Sequence, residues 1–135
     1  MTLSSKLRVC FPFTGDTVGG SHLSTLLLIK GLQQLDVDPW VVVHQTGGLL
    51  VPELERRGVT WRCAPQVRLV GEAGIAAQIS GMVAASGVLA QFIRESGIEI
   101  VHVNDARMHR TWVLAAKRAG INLIWHQRSV ENSRR

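Results

Sequence analysis

Three times in this chain a run with helical spacing ends at a glycine and an apolar, β-branched run follows at once: Arg57-Gly58-Val59, Ser96-Gly97-Ile98 and Ala119-Gly120-Ile121. A glycine in that place accepts the left-handed backbone that closes a helix. Strands entered straight from helix ends belong to crossover connections, and crossovers join parallel strands. The junctions therefore restrict the chain to an α/β architecture.

The rest of the sequence fills in that alternation. Residues 6–13 read as a first strand, apolar on both faces through Leu7, Val9, Cys10 and Phe11, as a central strand of a parallel sheet must be. A loop at 14–20 leads to a helix over 23–35, with Ser21 as its expected N-cap. Asp38-Pro39 is expected to break that helix, and Trp40-Val41-Val42-Val43-His44 is a second strand. A helix at 50–57, a short strand at 59–63, a long helix at 72–96, a strand at 98–103, a helix at 107–119 and a strand at 121–126 complete the pattern, while 127–135 show no clear element. Gly81 and Gly87 are positions where the long helix is expected to bend or split. The fold class that follows is α/β, a doubly wound, Rossmann-like, mostly parallel sheet of about five strands with helices on both faces and right-handed crossovers. Its 135 residues make one domain.

Composition excludes several functions. Apolar residues form 46% of the chain and charged residues 19%, a globular balance. Residues 1–10 carry no long apolar run, so a secretory leader is not expected. No stretch of about 18 apolar residues appears, so a membrane span is not expected either. Cys10 and Cys63 stand alone, outside any metal or redox spacing, and read as buried reduced thiols of a cytoplasmic protein. The net charge of +5 suits anionic partners, yet the arginines are scattered and no tyrosine or aromatic run accompanies them, so nucleic acid is not expected as a partner.

In an open parallel sheet, ligands lie beyond the carboxyl ends of the strands. The loops to inspect are therefore 14–21, 44–48, 104–109 and 126–129. The first contains Gly15-Asp16-Thr17-Val18-Gly19-Gly20, which is neither G-x-G-x-x-G nor a P-loop, and His44-Gln45-Thr46 ends the second strand where a NAD site favours an acidic residue. NAD is disfavoured. Gly19-Gly20 at a helix start still suits an anion, because residues without a Cβ let backbone N–H groups and the positive helix end approach a phosphate; a tight strand-to-helix turn would use the same glycines. The five histidines form no HxxxH or HxH pair with an acidic ligand, so no metal is expected, and no G-x-S-x-G marks a serine nucleophile.

Several segments, in order, resemble the opening of the family 4 glycosyltransferases of GT-B architecture: Val18-Gly19-Gly20-Ser21-His22, Gly31-Leu32, Trp40 to His44, Gly58-Val59, Ile98 to Asn104, Ala115 to Ile121 and Ile124-Trp125-His126. The resemblance implies a retaining transfer from a nucleotide-sugar donor to a saccharide, lipid-linked or other hydroxyl acceptor, without a cofactor or metal. It implies an N-terminal, acceptor-side domain that ends short of its last strand and helix, and that needs a C-terminal donor-binding domain or partner chain. By it, Gly19, Gly20 and Ser21 would face the donor diphosphate, His126 would stand beside the transferred sugar as the catalytic residue, and Asn104, Asp105, Arg128 and His22 would border the acceptor. Peripheral contact with the inner face of a membrane is compatible with the charge. His102, inside a strand, is expected to be structural, and Met108-His109-Arg110 to be a solvated face. The alternatives from other classes are a non-catalytic nucleotide- or partner-binding module and a sugar-nucleotide epimerase or nucleotide-dependent oxidoreductase on a similar sheet.

Overall fold

The alternation seen in the sequence becomes β1 (Leu7–Phe13), α1 (Gly20–Leu32), β2 (Val37–Val43), α2 (Leu50–Arg56), β3 (Trp61–Cys63), α3 (Ile75–Ser96), β4 (Ile100–Val103), α4 (Ala106–Ala119) and β5 (Asn122–Trp125) in a computed structural model that describes residues 6–126. All five strands are parallel, in the order β3-β2-β1-β4-β5. The chain therefore winds outward from β1 in one direction and then in the other. The switch lies between β1 and β4.

Both faces of the sheet are buried, which explains strands without polar alternation. Val9, Phe11, Phe13, Val41 and Val43 pack with Leu26 and Ile29 of α1 and Leu50 and Leu54 of α2. Their strand neighbours Cys10 and Val42 point the other way, joining Val101 and Val103 against Leu89 and Ile93 of α3 and Met108 and Trp112 of α4. Each such fully buried aliphatic or aromatic side chain contributes about 1.5–3 kcal/mol. Gly97 and Gly120 close α3 and α4 with φ of 65° and 73°, and Gly58 follows α2 with φ of 68°, as the junctions require.

The two prolines in the sheet sit where no donor is needed. Val43 accepts from Ala64 across to β3, so Pro39, of the same parity, also turns its nitrogen toward that side, where pairing begins only at Val41↔Trp61. Asp38-Pro39 thus lies inside β2 and does not precede it. In β1, Arg8 accepts from Glu99, so Pro12 turns its nitrogen toward β4 and offers no N–H there. The β1–β4 register runs only through Val9↔Ile100 and Cys10↔Val101. Pro12 lets these strands part at the switch point.

Other boundaries differ from expectation. The N-cap of α1 is Gly19, and Ser21 is inside the helix, its carbonyl accepting from Thr25 Oγ1 at 2.8 Å. Helix α1 stops at Leu32, and α3 starts at Ile75 and runs unbroken through Gly81 and Gly87. A Cβ on Gly81 would lie 3.3 Å from Val70 Cγ2, so the glycine serves close approach of the loop before α3. The two thiols also differ: Cys10 is buried, which pushes its pKa well above the ordinary value, whereas Cys63 is exposed. Helix α3, with its 22 residues, is long and apolar enough by length and composition to cross a bilayer, contrary to the expectation from the lack of an unbroken apolar run; its second half packs Ala85, Leu89 and Ile93 into the core, and its first half exposes Ile75, Ile79 and Val83.

Candidate functional site at the carboxyl edge of the sheet

The loops after β1 and β2 are locked together. Gln45 N–H donates to Thr14 O at 2.7 Å, and Leu49 and Leu50 donate to Asp16 O and Gly15 O at 3.2 Å each. A Cβ on Gly48 would lie 2.2 Å from Gly15 O, and one on Gly15, whose φ is +97°, would lie 2.5 Å from Gln45 O. These two glycines hold the loops in contact. By contrast, a Cβ on Gly20 would meet nothing within 4 Å, so packing does not demand a glycine there.

At the start of α1, Gly19 N–H donates to Nδ1 of His22 at 2.9 Å, and the imidazole lies 5.6 Å from the Phe13 ring. With Nδ1 accepting, the proton of the neutral ring is on Nε2, so His22 is a hydrogen-bond donor at that atom. Burial lowers its pKa, partly opposed by Asp105 and Asp16. The Gly19 N–H is therefore already used, which corrects its expected role as a free phosphate donor; the open backbone at the helix start begins with Gly20 and Ser21.

Ser21 and His22 line a cavity of about 480 Å³ together with three carboxylates, Asp16, Glu72 and Asp105, and two arginines, Arg107 and Arg110. The walls come from the β1–α1 loop and the start of α4, on either side of the switch point, with Glu72 of the loop before α3 closing a third side. Asp105 is the N-cap of α4, its Oδ1 accepting from Met108 N–H at 2.8 Å, so one carboxylate oxygen is committed to the helix. Arg110 is no freely solvated side chain: it is half-buried, and its Nε donates to Val70 O at 3.2 Å. His109 stacks on Trp125 with ring centroids 4.3 Å apart. The expectation of a solvated face over 108–110 fails for all three, since Met108 is fully buried.

His126 and Asn104 belong to a different group. His126 is exposed, its N–H donates to Val103 O at 2.9 Å, and its ring lies 6.0 Å from that of His102. His102 is buried 5.1 Å from the Phe11 ring, and Asn104 is buried beside it in sequence. Neither His126 nor Asn104 lines the cavity of Ser21 and His22. Arg128 lies outside the described residues.

A second cavity, of about 670 Å³, opens at the end of β2 between His44, Gln45, Gln66, Arg68 and Arg107. Trp112 Nε1–H donates to His44 Nε2 at 2.9 Å. Indole is a donor only, so His44 is held as the Nδ1–H tautomer. Burial pushes its pKa down to about 4. The far wall is the β3–α3 loop, residues 64–74, which the sequence reading left out of its loops of interest. Its trace is the alternating Val67-Arg68-Leu69-Val70: Val70 is 4% exposed and its N–H is bonded to Thr111 Oγ1 at 3.1 Å. Among the described residues no cluster of three or more His, Cys, Asp or Glu side chains has metal-binding geometry.

The sequence matches the model of Glycosyltransferase Family 4 over residues 18–133. The chain belongs to glycosyltransferase family 4. This family 4 chain has the fold of the glycosyltransferase from Rickettsia africae ESF-5, with a TM-score of 0.63 and 18% identity over 95% of this chain and 32% of that one. Acinetobacter baumannii MurG is similar at a TM-score of 0.63 and 17% identity, covering 90% and 34% of the two chains. A UDP-N-acetylglucosamine 2-epimerase is similar at 0.66 and 15%, covering 96% and 35%. Such identities speak for the fold alone, and it is the family match that favours a transferase over the epimerase reading. The family 4 chain spans about a third of the length of these structures. No curated protein matches its sequence.

Proposed function

We propose that this chain is the N-terminal, acceptor-side domain of a retaining GT-B glycosyltransferase of hexosyl type, moving a sugar from a nucleotide-sugar donor to a hydroxyl acceptor. The observation that carries the reading is the cavity at the switch point, in a family 4 chain, where a helix start, a histidine donor and two arginines meet among the carboxylates of Asp16, Glu72 and Asp105. In the transition state negative charge grows on the departing nucleotide diphosphate. The open N–H groups at Gly20 and Ser21, the positive end of α1 and the Nε2–H of His22 oppose that charge at fixed positions. Arg107 and Arg110 add full positive charge on the other wall. His126 stands beside the transferred sugar, and Asn104, Asp105 and Arg128 border the acceptor. The donor's nucleotide is held by a second α/β domain or partner chain, so this chain alone does not turn over. The setting is cytoplasmic polysaccharide biosynthesis, at the inner face of a membrane and without a metal.

The test uses calorimetry and a coupled nucleotide-release assay with UDP-glucose and GDP-mannose as probes. The chain alone is expected to bind neither probe tightly, and sub-micromolar binding would contradict the two-domain reading. In a protein that carries this domain with a second one, His126→Ala and Arg107→Gln are expected to lower turnover at least tenfold each. Unchanged turnover in His126→Ala removes His126 from the site.

A further inference from the structure

Helix α1 buries one face, through Thr25, Leu26 and Ile29, yet it is apolar all round. Gly20, Leu23, Ser24, Leu27, Leu28 and Gly31 are exposed, and Lys30 is the one Asp, Glu, Lys or Arg in the helix. A surface helix ordinarily carries its charged residues opposite its apolar stripe. Here the side opposite Leu26 and Ile29 carries none. Leu27 is 67% exposed, and Leu35, in the turn that follows the helix, is 62% exposed.

Gly31 has no internal reason to be a glycine. A Cβ there would meet nothing within 4 Å, and its φ is not positive, unlike that of Gly58, Gly97 or Gly120 at the other helix ends. Glycine weakens a helix relative to alanine. What Gly31 offers is outward: a bare stretch of backbone on the same face as Leu27, one turn further along.

We propose that α1 is the contact between two copies of this chain, packed antiparallel about a two-fold axis that passes between Leu27 and Gly31. The axis lays Leu27 of each copy over Gly31 of the other, with Leu23 and Leu35 flanking. A two-fold contact must be self-complementary, and a protruding leucine one turn from an open glycine meets that condition on its own. The second half of a two-domain enzyme would meet the chain at the carboxyl edge, where the cavities of His22 and His44 open. Helix α1 runs away from that edge, so Gly31 and Leu35 stand toward the far one, and none of the contact residues lines either cavity. The inference does not depend on the transferase reading.

The 13 residues of α1 present a face about 20 Å long. That face buries less than the roughly 800 Å² per partner of a standard interface. The dimer is therefore expected to be weak, with a dissociation constant of about 10–100 µM.

The experiment is sedimentation equilibrium of the full chain over a concentration series that brackets this range. Leu27→Glu and Gly31→Leu are each expected to weaken association by about tenfold or more, the scale of one central interface side chain. Both positions are exposed and nothing lies near a Gly31 Cβ, so the variants keep the fold, which far-ultraviolet circular dichroism checks. Gly31→Ala separates the two demands on that position: it is expected to raise the melting temperature of the dilute chain while weakening the dimer. Ile79→Glu, on the exposed apolar stripe of α3, is the control and is expected to leave association unchanged.

A chain that stays monomeric throughout the series overturns the proposal. So does a dimer that survives both Leu27→Glu and Gly31→Leu, or one that Ile79→Glu dissolves, because the contact then lies on another face. A Gly31→Ala chain that associates as tightly as the native one sinks the packing of Leu27 on Gly31.

Discussion

Lowering the pH from 7 to 4.5 tests the half-buried His44 and its bond to the buried Trp112 directly. His44 titrates near 4 in the folded chain, held down by burial, against an ordinary value of 6.5. Between these values the unfolded chain holds more protons than the folded one, so stability rises with pH across the window. The contribution is fully present above 6.5 and is lost as pH falls through the folded value. The whole shift corresponds to roughly 3 kcal/mol, of which about 2 kcal/mol is lost between pH 7 and 4.5. Protonation also puts a hydrogen on Nε2, which can then no longer accept from Trp112. His22 and His109, both also lowered by burial, act in the same direction but are more open to solvent. Glu53, lowered to about 2 by its hydrogen bonds to Arg56 and Arg57, acts only below its ordinary 4.5. The assay is urea unfolding followed by tryptophan fluorescence at both pH values, in the native chain and in His44→Gln, which keeps an acceptor for the indole without titrating. At ordinary urea dependences of 1–3 kcal/mol per molar, the native midpoint is expected to fall by about 1–2 M, and that of His44→Gln by clearly less. Parallel losses in the two chains would refute the argument that His44 is buried and neutral.

Three further outcomes follow from particular contacts. Asp105→Ala is expected to cost about 1 kcal/mol in thermal or urea unfolding, because the N-cap bond to Met108 is lost, while Asp105→Asn retains most of it. Gly48→Ala is expected to destabilise by about 1–3 kcal/mol through overpacking against Gly15 O, whereas Gly20→Ala stays within about 0.5 kcal/mol, since its new Cβ meets nothing within 4 Å. Titration with an aromatic disulfide reagent is expected to find one reactive thiol in the native chain, Cys63, and a second, Cys10, only after unfolding.

The architecture was readable because its determinants are local. Gly58, Gly97 and Gly120 announce helix ends through their backbone alone, and a strand buried on both faces shows it as a continuous apolar run such as Val41-Val42-Val43. Strand starts were less readable. Pro39 looked like a breaker, yet it is harmless in β2 because β3 does not reach that far down the sheet, a fact of register that no local window contains. Gly81 looked like a kink, yet its partner is Val70, whose place against α3 is fixed by Thr111 and Arg110 from about 40 residues away.

The same distinction divides the candidate site. The Gly-rich loop was legible as something special, but the sequence could not separate glycines that keep two loops in contact from glycines that leave a surface open. Gly15 and Gly48 are of the first kind: Gly48 is demanded by the Gly15 carbonyl, and Gly15 by Gln45 and Val43, about 30 positions away in each case. Gly20 is of the second kind, free of internal contacts that would demand a glycine. His22 shows why residue type alone is insufficient. A histidine beside a glycine pair suggests a ligand contact, and here it first answers the backbone, taking the Gly19 N–H with one nitrogen and thereby fixing the other as a donor. His44 is fixed the opposite way round, by an indole arriving from α4. In both rings a partner's hydrogen occupies one nitrogen and thereby fixes the other as the donor, a property that no reading of their positions in the chain contains.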